Sequence, residues 1–193
     1  MISQRGVNEV KLARNKRELE GGDILFLISC TEIVTAADRA AYCATLVLHA
    51  SDLPRGRGWS PHIWQLVEGA DEITLSLLEA EDKVDSGRIW KKIKLFIPKH
   101  ALWNEINDLL FASEIELIEF ALKEFKRVSP ARQDTSIEVS YYPRRTPADS
   151  QIDPLQSISS QFDKIRVCDP NRFPAFFMLH GKKYKIILEK TDV

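Results

Sequence analysis

Cysteine is scarce in this chain of 193 residues: Cys30, Cys43 and Cys168 are an odd number at wide spacings. No CxxC pair suggests a structural zinc site, and the odd count argues against a disulfide framework. The three read as reduced thiols in a cytoplasmic protein. Neither sign of charge is in surplus, with 27 Lys and Arg against 28 Asp and Glu, so no basic excess advertises nucleic acid or an anionic membrane. No apolar run approaches the roughly 20 residues that cross a bilayer. No charged start leads into the short apolar segment of an export signal. Internal repeats and low-complexity stretches are also missing. The four histidines, His49, His62, His100 and His180, are scattered along the chain and suggest no metal site. What is present is a hydrophobic fraction of 44%, enough for one domain with a real core or for a domain with a small appendage.

The apolar residues are arranged in recognisable patterns. "DILFLIS" (23–29) and "ATLVLH" (44–49) are short, nearly continuous apolar runs, the pattern of strands covered on both faces. The segment between them is too polar for core and too long for a hairpin, which predicts a parallel pair with a crossover in an open α/β sheet. Ser60-Pro61 reads as an N-cap and first helical residue, with Ile63, Trp64 and Val67 on one face and Gly69 as the stop. "ITLSLLE" (73–79) and "RIWKKIKLFI" (88–97) read as strands joined by an acidic loop. From His100 to Val128 apolar residues recur at helical spacing, predicting one long helix or two broken near Ala112-Ser113. After Pro130 the chain becomes rich in proline, arginine and aspartate. A weak helix follows, then a terminal hairpin with His180-Gly181-Lys182 at its turn. This organisation suggests a core over residues 1–140 and a C-terminal extension over 141–193.

His49 ends a strand, and in open α/β sheets ligands sit beyond the carboxyl ends of the strands. Asp85 lies in a loop whose flanking strands can return it to the same edge. An imidazole beside a carboxylate can move a proton near neutral pH. Arg57, Arg144 and Arg145 carry guanidinium forks of the kind that match phosphate oxygens, and Tyr142 offers a surface for a ring.

The wording around these residues adds to that reading. "HASDLPRGRGWSP" (49–61) resembles the His-x-Ser-x-Leu-Pro-x-x-Arg-Gly signature of the folate-dependent formyltransferases, and "DSG" (85–87) is similar to their Asp-x-Gly loop. "YPRRTPADSQID" and "IRVCDPNRFPAFF" resemble the tail of the branch that formylates nucleotide-linked amino sugars, closest in wording to the enzymes of pseudaminic-acid-type pathways. The resemblance spans roughly residues 20–190. It implies an α/β, Rossmann-like core with a mostly parallel sheet, shortened at its amino end, plus a C-terminal extension ending in a β-hairpin. It also implies transfer of a formyl group from N10-formyltetrahydrofolate to a sugar amine. His49 would be proton shuttle and oxyanion partner, and Asp85 would hold its charge state and help take the amine proton. The resemblance places folate against Ile28, Ser29, Cys30, Thr31 and Val34, and against the loop Glu81, Asp82, Lys83 and Val84. The sugar nucleotide would meet Ser51, Arg57, Tyr142, Arg144 and Arg145. No metal and no nucleic acid or membrane partner is implied.

Two departures stand out. The family carries an asparagine two residues before the histidine, where its amide can donate to the oxyanion; here that residue is Val47. A backbone N–H or the Ser51 hydroxyl would have to serve instead. The related enzymes also begin with a strand and helix before the equivalent of "EVKLARN", and a sheet lacking them exposes an edge that a homodimer or a swapped amino end could cover. The alternatives are a catalytically silent folate or nucleotide-sugar binder, and a methionyl-tRNA formyltransferase-like enzyme.

Overall fold

The computed structural model describes residues 9–191. Residues 1–8 and 192–193, the outer ends of the two expected segments, lie outside the described residues. The two apolar runs form β1 (Gly22–Leu27) and β2 (Tyr42–His49), paired in parallel with Leu27 opposite Val47. Their crossover carries a four-residue helix, α1 (Ala36–Arg39), closed by a capping box between Thr35 and Asp38.

Beyond β2 the strand direction changes. After a two-residue strand β3 (Arg57–Gly58) and helix α2 (Pro61–Val67), strands β4 (Glu72–Glu79) and β5 (Ile89–Phe96) form a hairpin. Strand β4 lies antiparallel to β2, with His49 opposite Ser76. The sheet order is β1-β2-β4-β5, so the sheet is mixed: parallel at its start, as expected, and antiparallel after β2, where the expectation was a mostly parallel sheet. The physical reason is that a short helix and loop return the chain to the sheet from the same end at which β2 leaves it.

Helix α3 (Trp103–Glu124) is a single unbroken helix that buries Ile106, Leu110, Leu117 and Ala121 at spacings of four and seven. They meet Leu46, Leu48, Ile73, Leu75 and Leu77 from one face of the sheet. Strand alternation sends Thr45, Val47 and His49 to the opposite face. The C-terminal segment lies against the core through α4 (Phe162–Arg166). It ends in the expected hairpin of β7 (Phe176–Leu179) and β8 (Lys182–Lys185), with the short strand β6 (Tyr141–Tyr142) preceding them. No described helix is long and apolar enough to cross a membrane.

Ser60 departs from expectation. It precedes α2, but its backbone is left-handed (φ 46°) and its side chain makes no cap bond. Its carbonyl instead accepts the Ile63 N–H at 3.0 Å. Gly69 stops α2 as predicted, with φ 94°.

Candidate active site

The last residue of β2 is His49, 6% exposed. There the chain turns sharply: the Ser51 N–H donates to the His49 carbonyl, and the buried Ser76 hydroxyl donates to the Ser51 carbonyl at 2.7 Å. The loop then runs to β3, which pairs in parallel with β6. This short ladder holds the signature loop against the start of the C-terminal segment.

The histidine ring is held from both sides. His49 Nε2 lies 2.8 Å from the Gly56 carbonyl oxygen. A carbonyl only accepts, so Nε2 carries the proton. His49 Nδ1 faces Asp85 Oδ1 at 3.6 Å, an ion-pair separation longer than a hydrogen bond. Both side chains are buried. Asp85 stands in the left-handed region (φ 53°), and its Oδ2 accepts the Gly58 N–H at 2.8 Å. Among the described residues its Oδ1 has no partner closer than His49. Nδ1 and Oδ1 thus face each other while the bonds that orient the two groups are made elsewhere, and a proton can pass between them once they close to hydrogen-bond distance.

Backbone proximity explains the glycines of the two motifs. A Cβ on Gly87 would collide with the Glu79 carbonyl across the hairpin, and one on Gly58 with the Tyr142 carbonyl across the β3–β6 ladder. The close approach at Gly87 lies in the same loop that returns Asp85 to the end of β2.

The residues expected at the folate site lie on two loops. Ile28 and Val84 are exposed at 48% and 57%, Val34 is buried, and Ser29 is left-handed at φ 48°. Cys30 and Thr31 are exposed, as are Glu81, Asp82 and Lys83. One residue that sequence reasoning missed joins the loops: Arg39 donates to the Val34 carbonyl at 2.8 Å and to Asp82 Oδ1 at 2.6 Å. No local motif marked it.

The residues expected to bind the sugar nucleotide divide into two sets. Arg57 is 5% exposed, and its guanidinium donates to Gln133 Oε1 at 2.6 Å and to the Tyr141 hydroxyl at 3.4 Å. The Ser51 hydroxyl donates to the Arg55 carbonyl at 2.8 Å, so its proton is committed to the loop. Tyr142 stacks on Trp64, and its hydroxyl donates to Glu68 at 2.9 Å; burial and that carboxylate push its pKa up to about 12. Arg145 lies over Trp64 and donates to the Ser150 hydroxyl. Arg144 is exposed, over the ring of Trp59. Of the five, Arg144 keeps the freest hydrogen-bonding group.

His62, which the sequence left among the scattered histidines, belongs to this neighbourhood. Burial, His49 and Arg145 together push its pKa down to about 4, so it is neutral at pH 7. Val47 is partly buried on the same face as His49 and brings no donor to it.

No family model matches the chain. Among curated proteins it is 26% identical over 154 residues to the methionyl-tRNA formyltransferase of Protochlamydia amoebophila, covering 78% of this chain and 48% of that protein. The chain thus spans about half the length of such relatives. Among solved structures, it superposes on a sugar N-formyltransferase from Shewanella sp. FDAARGOS_354 with a TM-score of 0.70, 16% identity, and coverage of 92% of this chain and 73% of that one. It also superposes on HypX from Aquifex aeolicus in complex with tetrahydrofolic acid, with a TM-score of 0.72, 19% identity, and coverage of 87% and 29%. In sequence and in its α/β fold, this chain is similar to the formyltransferases.

Proposed function

We propose that this chain is a formyltransferase that moves a formyl group from N10-formyltetrahydrofolate to the amine of a nucleotide-linked amino sugar. The observation that carries the reading is the buried His49–Asp85 pair at the end of β2, in which Asp85 Oδ1 faces the imidazole and accepts no hydrogen bond among the described residues, in a fold shared with formyltransferases. The acceptor nitrogen attacks the formyl carbon, and the C–N bond forms as the carbonyl electron pair moves to oxygen. As the bond to N10 breaks, the attacking nitrogen gives up a proton and N10 gains one, leaving a formamide and tetrahydrofolate. Asp85 Oδ1 is the free acceptor for the amine proton, and His49 Nδ1 exchanges it. Oxyanion stabilisation by His49 requires that Nε2 leave the Gly56 carbonyl.

Two features fit the folate donor. Ile28 and Val84 leave apolar surface open on loops tied together by Arg39, which suits a flat pterin ring. The fold is also shared with a protein solved with tetrahydrofolic acid. A sugar acceptor is supported by the likeness to a sugar N-formyltransferase and by the exposed Arg144–Trp59 pair, which offers charge to a phosphate beside an aromatic face. The enzymes of pseudaminic-acid-type pathways remain the branch that the sequence wording resembles most. Among the described residues β1 is an edge strand, and a second copy pairing there would make a homodimer. Similarity to methionyl-tRNA formyltransferases supports a second reading with an aminoacyl-tRNA acceptor, which the net charge of −1 disfavours.

Mass spectrometry tests both readings: UDP- and dTDP-linked amino sugars and, in parallel, charged initiator methionyl-tRNA are incubated with the protein and N10-formyltetrahydrofolate. A gain of one formyl group on a sugar nucleotide establishes the first reading. A gain on the tRNA alone establishes the second. No gain on any acceptor, with the donor still bound, favours a silent binding protein.

A further inference from the structure

The side chain that organises the site most economically is one that neither motif contains. Gln133 lies in the loop after α3, and its amide is fully engaged. Nε2 donates to the Asp85 carbonyl at 2.8 Å and to the Gly87 carbonyl at 3.0 Å, while Oε1 accepts from Arg57 at 2.6 Å. The orientation of the amide is unambiguous, because a guanidinium only donates and a carbonyl only accepts. Arg57 in turn belongs to the strand whose Gly58 N–H binds Asp85 Oδ2, and it follows Gly56, whose carbonyl holds the His49 ring. Gln133 thus bridges the two loops that supply the catalytic pair, 48 residues from one partner and 76 from the other.

We propose that Gln133 is the positioning residue of this site. It holds the Asp85 backbone in its left-handed conformation and so sets the distance from the carboxylate to His49. Without the two bonds to the Asp85 and Gly87 carbonyls, a non-glycine residue at φ 53° relaxes toward ordinary backbone angles and carries its side chain with it. Arg57 then serves the site from within, as the anchor of the Gln133 amide. The proposal rests on the formyl-transfer reading of the His49–Asp85 pair for its catalytic consequence, but not for the geometry.

The test compares Gln133→Glu with Gln133→Met. The carboxylate keeps an acceptor for Arg57 and loses both donors to the loop; the thioether keeps the volume and loses everything polar. In both variants kcat is expected to fall about tenfold to a hundredfold, as for a misplaced catalytic group, with KM for both substrates nearly unchanged. A second measurement needs no acceptor: in the imidazole NMR spectrum of the free protein, the His49 signals should move in both variants. Amide exchange should quicken at Ser86 and Gly87 while α3 stays protected. A Glu variant with wild-type kcat and unmoved His49 signals would overturn the proposal, reducing Gln133 to an anchor for Arg57. Altered His49 signals and loop exchange with no turnover by the wild type would uphold the positioning role and sink the formyl-transfer reading instead.

Discussion

At His49 and Asp85 the arrangement leaves one proton to two groups and fixes everything else. Nε2 is committed to the Gly56 carbonyl and Oδ2 to the Gly58 N–H, so only Nδ1 and Oδ1 can exchange. His49→Ala and Asp85→Asn are each expected to lower turnover by about a hundredfold or more, the scale of a lost general base. The Asn variant should keep its melting temperature, because its amide oxygen can still accept from Gly58. Single-turnover formylation alongside a thermal melt checks both points. Wild-type rates in both variants would remove the pair from the chemistry. Val47, on the same face as His49, is the complementary case. Val47→Asn restores a donor near the developing oxyanion and is expected to raise kcat about tenfold or more. An unchanged kcat, measured under saturating donor and acceptor, would mean that another donor already fills that role.

Among the elements, α3 stabilises the fold, and the loop after β1 and the β4–β5 loop line the proposed donor site. Leu117 is fully buried between α3 and the sheet. Leu117→Ala should cost about 2–5 kcal/mol through lost burial and a residual cavity, read as a lower urea midpoint with an unchanged slope. The clip between the loops is a different kind of element. Arg39 joins Val34 and Asp82 without belonging to either loop, and Asp82 is largely exposed, so its contribution to stability is small. Its consequence is geometric. Arg39→Ala is expected to raise KM for N10-formyltetrahydrofolate severalfold with kcat and melting temperature nearly unchanged; initial rates at varied donor concentration report it. A fall in kcat with constant KM would instead tie Arg39 to the chemistry.

For the whole molecule, acid is the condition that most directly couples the site to stability. His62 titrates near 4 when folded and near 6.5 when unfolded. Between those values the unfolded chain binds a proton that the folded chain refuses, so stability falls as the pH falls through that window. The loss from pH 7 to pH 5 is up to about 2 kcal/mol, discounted because the ring is only partly buried. His62→Gln should flatten the pH dependence of the melting temperature across this range. Asp38 and Asp149, whose carboxyls hydrogen bonds hold below the usual range, and Glu114, whose carboxyl burial raises, are common to wild type and variant, so the difference between the two profiles isolates His62. An equally steep decline in the variant would assign the acid sensitivity elsewhere.

Much of this protein follows from local sequence. The apolar runs around Phe26 and Leu46, the helical spacing from Ile106 to Ala121, Pro61 at a helix start and His180-Gly181 at a hairpin turn each bias backbone angles or burial over a few residues. Periodicity and turn chemistry are legible over that range. His49 and Asp85 were also legible, as a strand-end histidine and a tight-turn aspartate in motifs that resemble a known family. The direction of β4 was not, because pairing depends on how the chain returns to the sheet. Nor were Gln133, Arg39 and the inward turn of Arg57. Their bonds join residues 43 to 76 positions apart, and no local pattern encodes which side chains meet once those loops close. Sequence alone determined which groups could do the chemistry; tertiary structure decided which atoms remain free to do it, because only packing commits the competing hydrogen bonds.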